Sequence, residues 1–197
     1  DCNITNLLIT EISDPQNSST AGRYVELYNA STEDINLSIG YALVRWTNDS
    51  NNPSTPVSLL GTIPAGGFYV VCNSASKFLD TYGFDASQDI GIGGPADSNG
   101  DDNIALLAPD GSVIDIYGQP GQDGTLSAGG SSEFEDGRAE RVCGTSASAT
   151  WDVNDWNIDN DSGGGDGNLF APDAFDPFDW ICINISGCTD PTAFNFS

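Results

Sequence analysis

The chain has 197 residues, and its 29 acidic and 5 basic side chains give a formal net charge of −24. So acidic a chain repels phosphate backbones, which excludes nucleic acid as a partner, and no apolar run is long enough to cross a membrane. The sequence contains no histidine, which excludes Ser-His and Cys-His catalytic pairs and favours a non-enzymatic protein of one main domain.

Short apolar runs between turn-forming residues predict β-strands along the chain. They cover residues 6–13, 24–29, 41–46, 57–60, 68–72, 104–107, 113–117, 138–143 and, as a last strand, 180–183. In 24–29 the alternation places Val25 and Leu27 on a buried face and the other side chains on a solvent face. Only 76–83 has helical character, with Ser76 as N-cap and Gly83 as terminator. Eight to ten short strands joined by long Gly/Ser/Asp-rich loops predict an all-β sandwich.

The best-defined element is a β-hairpin formed by the runs 104–107 and 113–117. Its turn reads Ala-Pro-Asp-Gly, in which Pro109 presets a negative φ and Gly111 accepts a positive one. Trp151, Trp156 and Trp180 supply large apolar area after this hairpin, and we expect them to pack in the core or at its rim.

Five cysteines are widely spaced, and none forms a C-x-x-C pair. Without histidine, disulfides are a better interpretation than zinc ligands. Spacing alone leaves three pairings open for Cys2, Cys72, Cys143 and Cys182, and the preferred one is Cys2 with Cys72 and Cys143 with Cys182. Cys188 then remains as a tail or intermolecular cysteine.

Eight N-x-S/T triplets are present, more than chance would give, and they begin at Asn3, Asn17, Asn29, Asn36, Asn48, Asn160, Asn184 and Asn195. Such triplets are acceptors for N-linked glycans in exported proteins. Together with the cysteines, they predict a secreted or cell-surface glycoprotein in an extracellular, oxidising environment.

Two acidic runs are candidate calcium sites. Asp97, Asn99 and Asp101 have the D-x-N-x-D spacing that lets alternate side chains converge on one cation, and Asp102 is adjacent. The rest of an EF-hand loop is missing, and the alternative interpretation is an Asx-rich turn that orders the loop before the hairpin. A second, weaker candidate consists of Asp159, Asp161 and Asp166.

Glutamates also occur on predicted strands. Glu11 and Glu26 are expected either to form a carboxylate pair or to accept from arginines, for which Arg45, Arg138 and Arg141 are available. We favour the structural interpretation, because four arginines in so acidic a chain are best explained as partners of strand carboxylates.

Several segments in this order resemble the lamin-tail domain family. They read LLITEIS, RYVELYN, GTIPAGGFYVV, NGDDNIALL, GSVIDIYGQPG and FEDGRAERV, and they extend from residue 6 to about residue 182. The segment GCTDPTAFNF, at 187–196, resembles the opening of a short cysteine-bearing repeat of surface proteins. The resemblance implies an immunoglobulin-like β-sandwich over residues 1–183, followed by a short tail, 184–197.

The resemblance also implies a role, because lamin-tail domains usually bind, space or assemble and share no catalytic constellation. We therefore expect a structural or assembly subunit of an extracellular filament or cell-surface coat, which associates with itself or with other surface proteins. The alternatives are a calcium- or carbohydrate-dependent adhesion module and an accessory domain of a larger secreted hydrolase.

Overall fold

A computed structural model describes residues 7–15, 22–160, 175–180 and 182 of the chain. In chain order the elements are β1 Leu7–Ser13, β2 Tyr24–Asn29, β3 Ile35–Asn36, β4 Ala42–Trp46, β5 Val57–Ser58, β6 Thr62–Ile63, β7 Phe68–Cys72, α1 Ala75–Tyr82, β8 Gln88–Asp89, β9 Asn103–Leu107, β10 Val113–Tyr117, β11 Arg138–Arg141 and β12 Trp156–Asp159. Single 3₁₀ turns occur at Leu37–Ile39, Leu126–Ala128 and Val153–Asp155. The predicted all-β, immunoglobulin-like sandwich is confirmed.

Two main sheets form the sandwich. The six-stranded sheet has the order β12-β11-β1-β2-β7-β8, and the four-stranded sheet has the order β10-β9-β4-β5, while β3 and β6 form a separate ribbon. All pairs are antiparallel except β7 with β8. The predicted hairpin is present as β9 and β10, and Gly111 in its turn has a φ of 83°.

The main core lies between the two sheets. It contains Val25, Leu27 and Val71 from the six-stranded sheet and Leu43 and Leu106 from the four-stranded sheet, all fully buried. Because side chains alternate along a strand, the same strands present a second set of residues on their outer faces.

Part of the outer face of the six-stranded sheet is also buried, whereas the sequence predicted that this face would be in contact with solvent. Helix α1 packs its buried Phe78 edge-on against Tyr24 of β2, with ring centroids 5.8 Å apart. Gly83 ends this helix in a left-handed conformation, as predicted, but Ser74 rather than Ser76 occupies the N-cap position. Helix α1 covers part of this face, and Tyr24 is therefore fully buried.

The last strand differs from the prediction. Residues 156–159 form β12, which pairs with β11. Trp180 is buried but lies outside any strand, and residues 181 and 183 are not among the described residues. Trp156 is also buried and Trp151 is partly buried against the core, so the predicted packing role of the tryptophans is confirmed. The predicted domain boundary at 183 lies outside the described residues.

Candidate functional site

A row of three carboxylates crosses the outer face of the six-stranded sheet. In the strand register, Glu11 of β1 lies opposite Glu26 of β2 on one side and opposite Glu140 of β11 on the other. Glu11 is 1% exposed and Glu26 is fully buried. We call these three residues the carboxylate row. Adjacent buried carboxylates repel one another, so this row is stable only where hydrogen-bond donors, positive charges or bound protons offset the repulsion.

One arginine, Arg138, forms ion pairs with two of the three carboxylates of this row. Arg138 Nη1 lies 3.0 Å from Glu11 Oε1 and 2.8 Å from Asp176 Oδ1, and its Nη2 lies 3.8 Å from Glu140 Oε2. The second oxygen of Glu11 accepts from the Tyr24 hydroxyl at 2.7 Å. The prediction that strand glutamates accept from arginines is confirmed for Glu11. Three carboxylates therefore share one guanidinium charge.

Glu26 is held differently, by neutral groups. Thr10 Oγ1 is hydrogen-bonded to Glu26 Oε1 at 2.7 Å, and the Phe178 N–H donates to Oε2 at 2.6 Å. Burial, reinforced by the charge of Glu11, raises the pKa of Glu26 well above its usual value. Burial also raises the pKa of Glu11 to about 8, although Arg138 opposes the shift. We infer that Glu26 is the carboxyl group of the row that holds a proton, because none of its hydrogen-bond partners carries a positive charge.

Residues 175–180, which we call the closing segment, lie against the carboxylate row. The Trp180 indole N–H donates to the Arg141 carbonyl at 2.8 Å, and its ring lies 5.7 Å from that of Tyr28. Just beyond this segment, Cys182 is joined to Cys143 by a disulfide. The closing segment is thus anchored by a disulfide, by an indole and by the backbone contact to Glu26.

A second buried ionic group joins β1, β10 and β11. Arg141 Nη2 lies 2.6 Å from Asp115 Oδ2, and both side chains are 1% exposed. Arg141 Nε also donates to the Ile9 carbonyl at 2.6 Å, while Asp115 accepts from the N–H groups of Ile9 at 2.7 Å and Ser148 at 3.0 Å. The guanidinium lies 4.4 Å from the centre of the Trp156 ring. This arrangement, which satisfies both charges, connects the two sheets.

The acidic loop before β9 is ordered by protein donors. Asp97 accepts from Asn73 Nδ2 at 2.8 Å, from the Gly93 N–H at 2.7 Å and from Arg23 Nη1 at 3.3 Å. Partial burial opposes ionisation of Asp97, but these hydrogen bonds and the nearby arginines outweigh it and lower its pKa.

The other carboxylates of this loop have different partners. Asp102 Oδ2 lies 3.1 Å from Arg45 Nη1, Asp101 Oδ2 accepts from Asn48 Nδ2 at 2.8 Å, and Asn99 is exposed. Among the described residues, no group of three or more Cys, Asp or Glu side chains is placed to hold a metal ion. The donors in these contacts are arginine and amide groups of the protein, and calcium binding by Asp97, Asn99, Asp101 and Asp102 stays a prediction.

The second acidic run is only partly described. Asp159 lies at the end of β12, opposite Arg138 in the register, and is exposed. Asp161 and Asp166 lie outside the described residues. Calcium binding by this run stays a prediction.

The cysteines confirm one predicted bridge and correct the other. Cys143 and Cys182 are bonded, as predicted. Cys72 is a buried free thiol in the cluster of Tyr24, Val70 and Phe78, where burial raises its pKa to about 11. The predicted Cys2–Cys72 bridge is therefore wrong, because the Cys72 side chain is enclosed beneath α1. Cys2 and Cys188 lie outside the described residues.

The glycosylation triplets differ in accessibility. Asn29 is fully buried, and its Nδ2 donates to the carbonyls of Glu33, Ile63 and Pro64 at 2.8–3.1 Å. A glycan at Asn29 is excluded in this fold, and that prediction is wrong. Asn36 is exposed and uses its Oδ1, not its Nδ2, to cap the turn at 37–39.

For the remaining triplets, the accessibility of the asparagine does not decide whether a glycan can be attached. Asn48 donates from its Nδ2 to Asp101 and is partly buried, as is Asn160. Outside the described residues lie Asn3, Asn17, Asn184 and Asn195. Glycosylation at these six sites stays a prediction.

A pocket of about 270 Å³ opens between the end of α1 and the closing segment. It is lined by Thr81, Tyr82, Phe84, Phe175, Asp176, Pro177 and Asp179. We call it the aromatic pocket, because three of its side chains are aromatic rings. Phe84 is 43% exposed, and its ring lies 5.8 Å from that of Phe178.

The structure also identifies residues that sequence reasoning did not single out. Asp115 and Thr10 have structural roles on strands, and Asp176 joins the closing segment to Arg138. The signal for Asp115 was its position two residues from Tyr117, on the core-facing side of an apolar strand. A carboxylate in that position requires a buried cation, which Arg141 provides.

Comparison with known proteins gives one result. A family model described as Lamin Tail Domain matches residues 3–121, which is more than half of the 197 residues. The match extends from β1 through the hairpin of β9 and β10. No curated protein matches the chain. Within the described part of the chain, α1 and the 3₁₀ turns are all too short to cross a membrane.

Proposed function

Because this chain belongs to the lamin tail domain family, we propose that it is a non-enzymatic, secreted structural subunit that assembles into an extracellular filament or cell-surface coat. The immunoglobulin-like domain of this family is an interaction module and is generally non-catalytic. The Cys143–Cys182 disulfide supports an oxidising, extracellular environment, since such bonds are rare where thiols are kept reduced.

The distribution of charge determines what kind of contact is available for assembly. All four arginines are in ion pairs within the fold, with the carboxylates of Asp14 and Asp97, of Asp102, of Glu11, Glu140 and Asp176, and of Asp115. Identical subunits of charge −24 repel one another. Apolar contacts are therefore needed to offset the repulsion.

Two exposed aliphatic side chains carry this proposal. Ile39 is 63% exposed and Leu60 is 58% exposed. Their segments are joined by hydrogen bonds from the Leu37 N–H to the Gly61 carbonyl and from the Gly61 N–H to Ser38 Oγ, both 2.8 Å long. We call these two residues the aliphatic patch, because the hydrogen bonds hold their segments side by side and both side chains are more than half exposed.

Two of the sheet edges favour assembly through side chains rather than through added strands. The edge strands β5 and β8 have two residues each. Such short edges limit strand addition. The opposite edge of the six-stranded sheet is β12, which has four residues and leaves Asn157 and Asp159 exposed.

Sedimentation velocity of the native, oxidised protein over a range of concentrations tests the proposal. We expect species larger than the monomer, and the double variant Ile39→Ser/Leu60→Ser should shift them toward monomer. Leu126→Ser is the matched control, since Leu126 is 59% exposed and lies in a different 3₁₀ turn. Parallel runs with chelator and with reductant show whether divalent cations or disulfides contribute. A monodisperse monomer at high concentration under every condition would rule out self-assembly.

A further inference from the structure

The aromatic pocket has the composition of a cation-binding site. Tyr82, Phe84 and Phe175 line it with rings, and Asp176 and Asp179 provide two carboxylates. Aromatic faces attract a cation through their quadrupole, and a nearby carboxylate adds a direct charge interaction. The volume of about 270 Å³ is suited to a side chain rather than to a large ligand.

The negative charge of the pocket is only partly neutralised by the protein. Asp179 accepts a hydrogen bond from the Trp180 N–H at 2.8 Å, and none of the described ion pairs includes it. Asp176 pairs with Arg138, but that arginine also serves two glutamates of the carboxylate row. The pocket therefore retains a negative potential, which the charge of the whole chain reinforces.

The chain itself is a poor source of the cation. Four of its five basic residues are arginines already held in the ion pairs described above, and Lys77 has interactions of its own. A second copy would have to break a buried ion pair to supply a guanidinium. A basic residue of another protein needs no such rearrangement.

We propose that the aromatic pocket binds a lysine or arginine side chain presented by a different protein. The ammonium or guanidinium lies between the rings and Asp179, and the aliphatic stem packs on Phe84. This inference does not depend on self-assembly through the aliphatic patch, which is a separate surface.

Titration of the oxidised full chain with small amides, followed by ¹H–¹⁵N NMR, tests this site. The probes are Nα-acetyl-lysine methylamide, the corresponding arginine derivative and, as a neutral isostere, the norleucine derivative. We expect the two cationic probes to shift signals at 81–84 and 175–179 and to bind more weakly as salt is added.

Two variants and one control define the contacts. Phe84→Ala and Asp179→Asn should each weaken binding of the cationic probes about fivefold, the effect of one cation–π or partly exposed charge contact. Asp85→Asn removes the same charge from an exposed residue that does not line the pocket, and should leave binding unchanged. Unchanged spectra elsewhere verify folding of each variant.

Several results would overturn the inference. These are absence of shifts at the pocket, equal binding of the norleucine probe, and equal weakening by Asp85→Asn and Asp179→Asn. Methyl glucoside that binds at the pocket more tightly than the lysine probe would also overturn it, in favour of a carbohydrate site.

Discussion

Replacing Asp115 by Asn should lower the free energy of unfolding substantially, because this substitution removes one charge of a fully buried pair. The Arg141 guanidinium would remain 1% exposed with its countercharge gone. In the wild-type protein, the N–H groups of Ile9 and Ser148 donate to the two carboxylate oxygens of Asp115. The NH₂ group of an asparagine would replace one of these oxygens, so that one backbone N–H would face another donor.

The magnitude follows from these contacts. Removing one partner of a buried ion pair costs about 3–5 kcal/mol. A typical domain is stable by about 5–15 kcal/mol, so a loss of about 4 kcal/mol is a substantial fraction of the total. Arg141→Met should have an effect of similar size, since it leaves Asp115 as the unpaired charge. In the double variant Asp115→Asn/Arg141→Met, the loss of unfolding free energy should be smaller than the sum of the two single losses by at least about 2 kcal/mol.

Urea denaturation of the oxidised protein, followed by tryptophan fluorescence, measures these free energies of unfolding. Asp176→Asn is the matched control: its carboxylate is 2.8 Å from Arg138, but its side chain is 46% exposed, so the loss should be under about 1 kcal/mol. If Asp115→Asn cost no more than this control, or if the two single losses simply added, the pair would not be the structural element described above.

Three further predictions concern other parts of the fold. Replacing Cys143 and Cys182 by Ser should lower the free energy of unfolding by about 4 kcal/mol for a loop of 39 residues, measured by urea denaturation. The pKa of Glu26 is raised in the folded state, so its stabilising contribution is complete below the unfolded value of 4.5 and is lost as pH rises toward the folded value. Stability measured between pH 4.5 and 8.5 should therefore decline, and Glu26→Gln should flatten the decline; an unchanged slope would contradict the assigned proton. After glycosidase treatment, peptide mass shifts are expected at Asn36 but not at Asn29, and a glycan at the buried Asn29 would contradict the structure.

The strands were largely predictable because their signals are local. Alternation and turn residues identified 24–29, 68–72 and 113–117 with the bounds that the structure shows. The two-residue strands were not predicted, because two residues carry no periodicity. The second layer on the outer face was missed for a different reason: Glu26 reads as a solvent-facing residue until α1 and the closing segment, distant in sequence, cover it.

The candidate sites were less predictable, because they depend on which side chains meet across the sheets. The D-x-N-x-D spacing of Asp97, Asn99 and Asp101 describes a possible cation loop, but spacing contains no information about Arg23, which lies just before β2, or Arg45 of β4. Pairing of cysteines has the same limitation. The sequence supported Cys143 with Cys182, and only the three-dimensional fold shows Cys72 enclosed beneath a helix.

The Cys143–Cys182 bond has a mechanical consequence. When the chain is pulled at its two ends, tension that reaches Cys143 passes through the sulfur–sulfur bond to Cys182, and the stretch between them, which includes β12 and the closing segment, bears no load. While the bond is intact, this stretch contributes nothing to the extension of the chain under force. Reduction would allow the stretch between the two cysteines, which are 39 residues apart in sequence, to bear load and extend. The contour length of the chain would increase by roughly 130 Å.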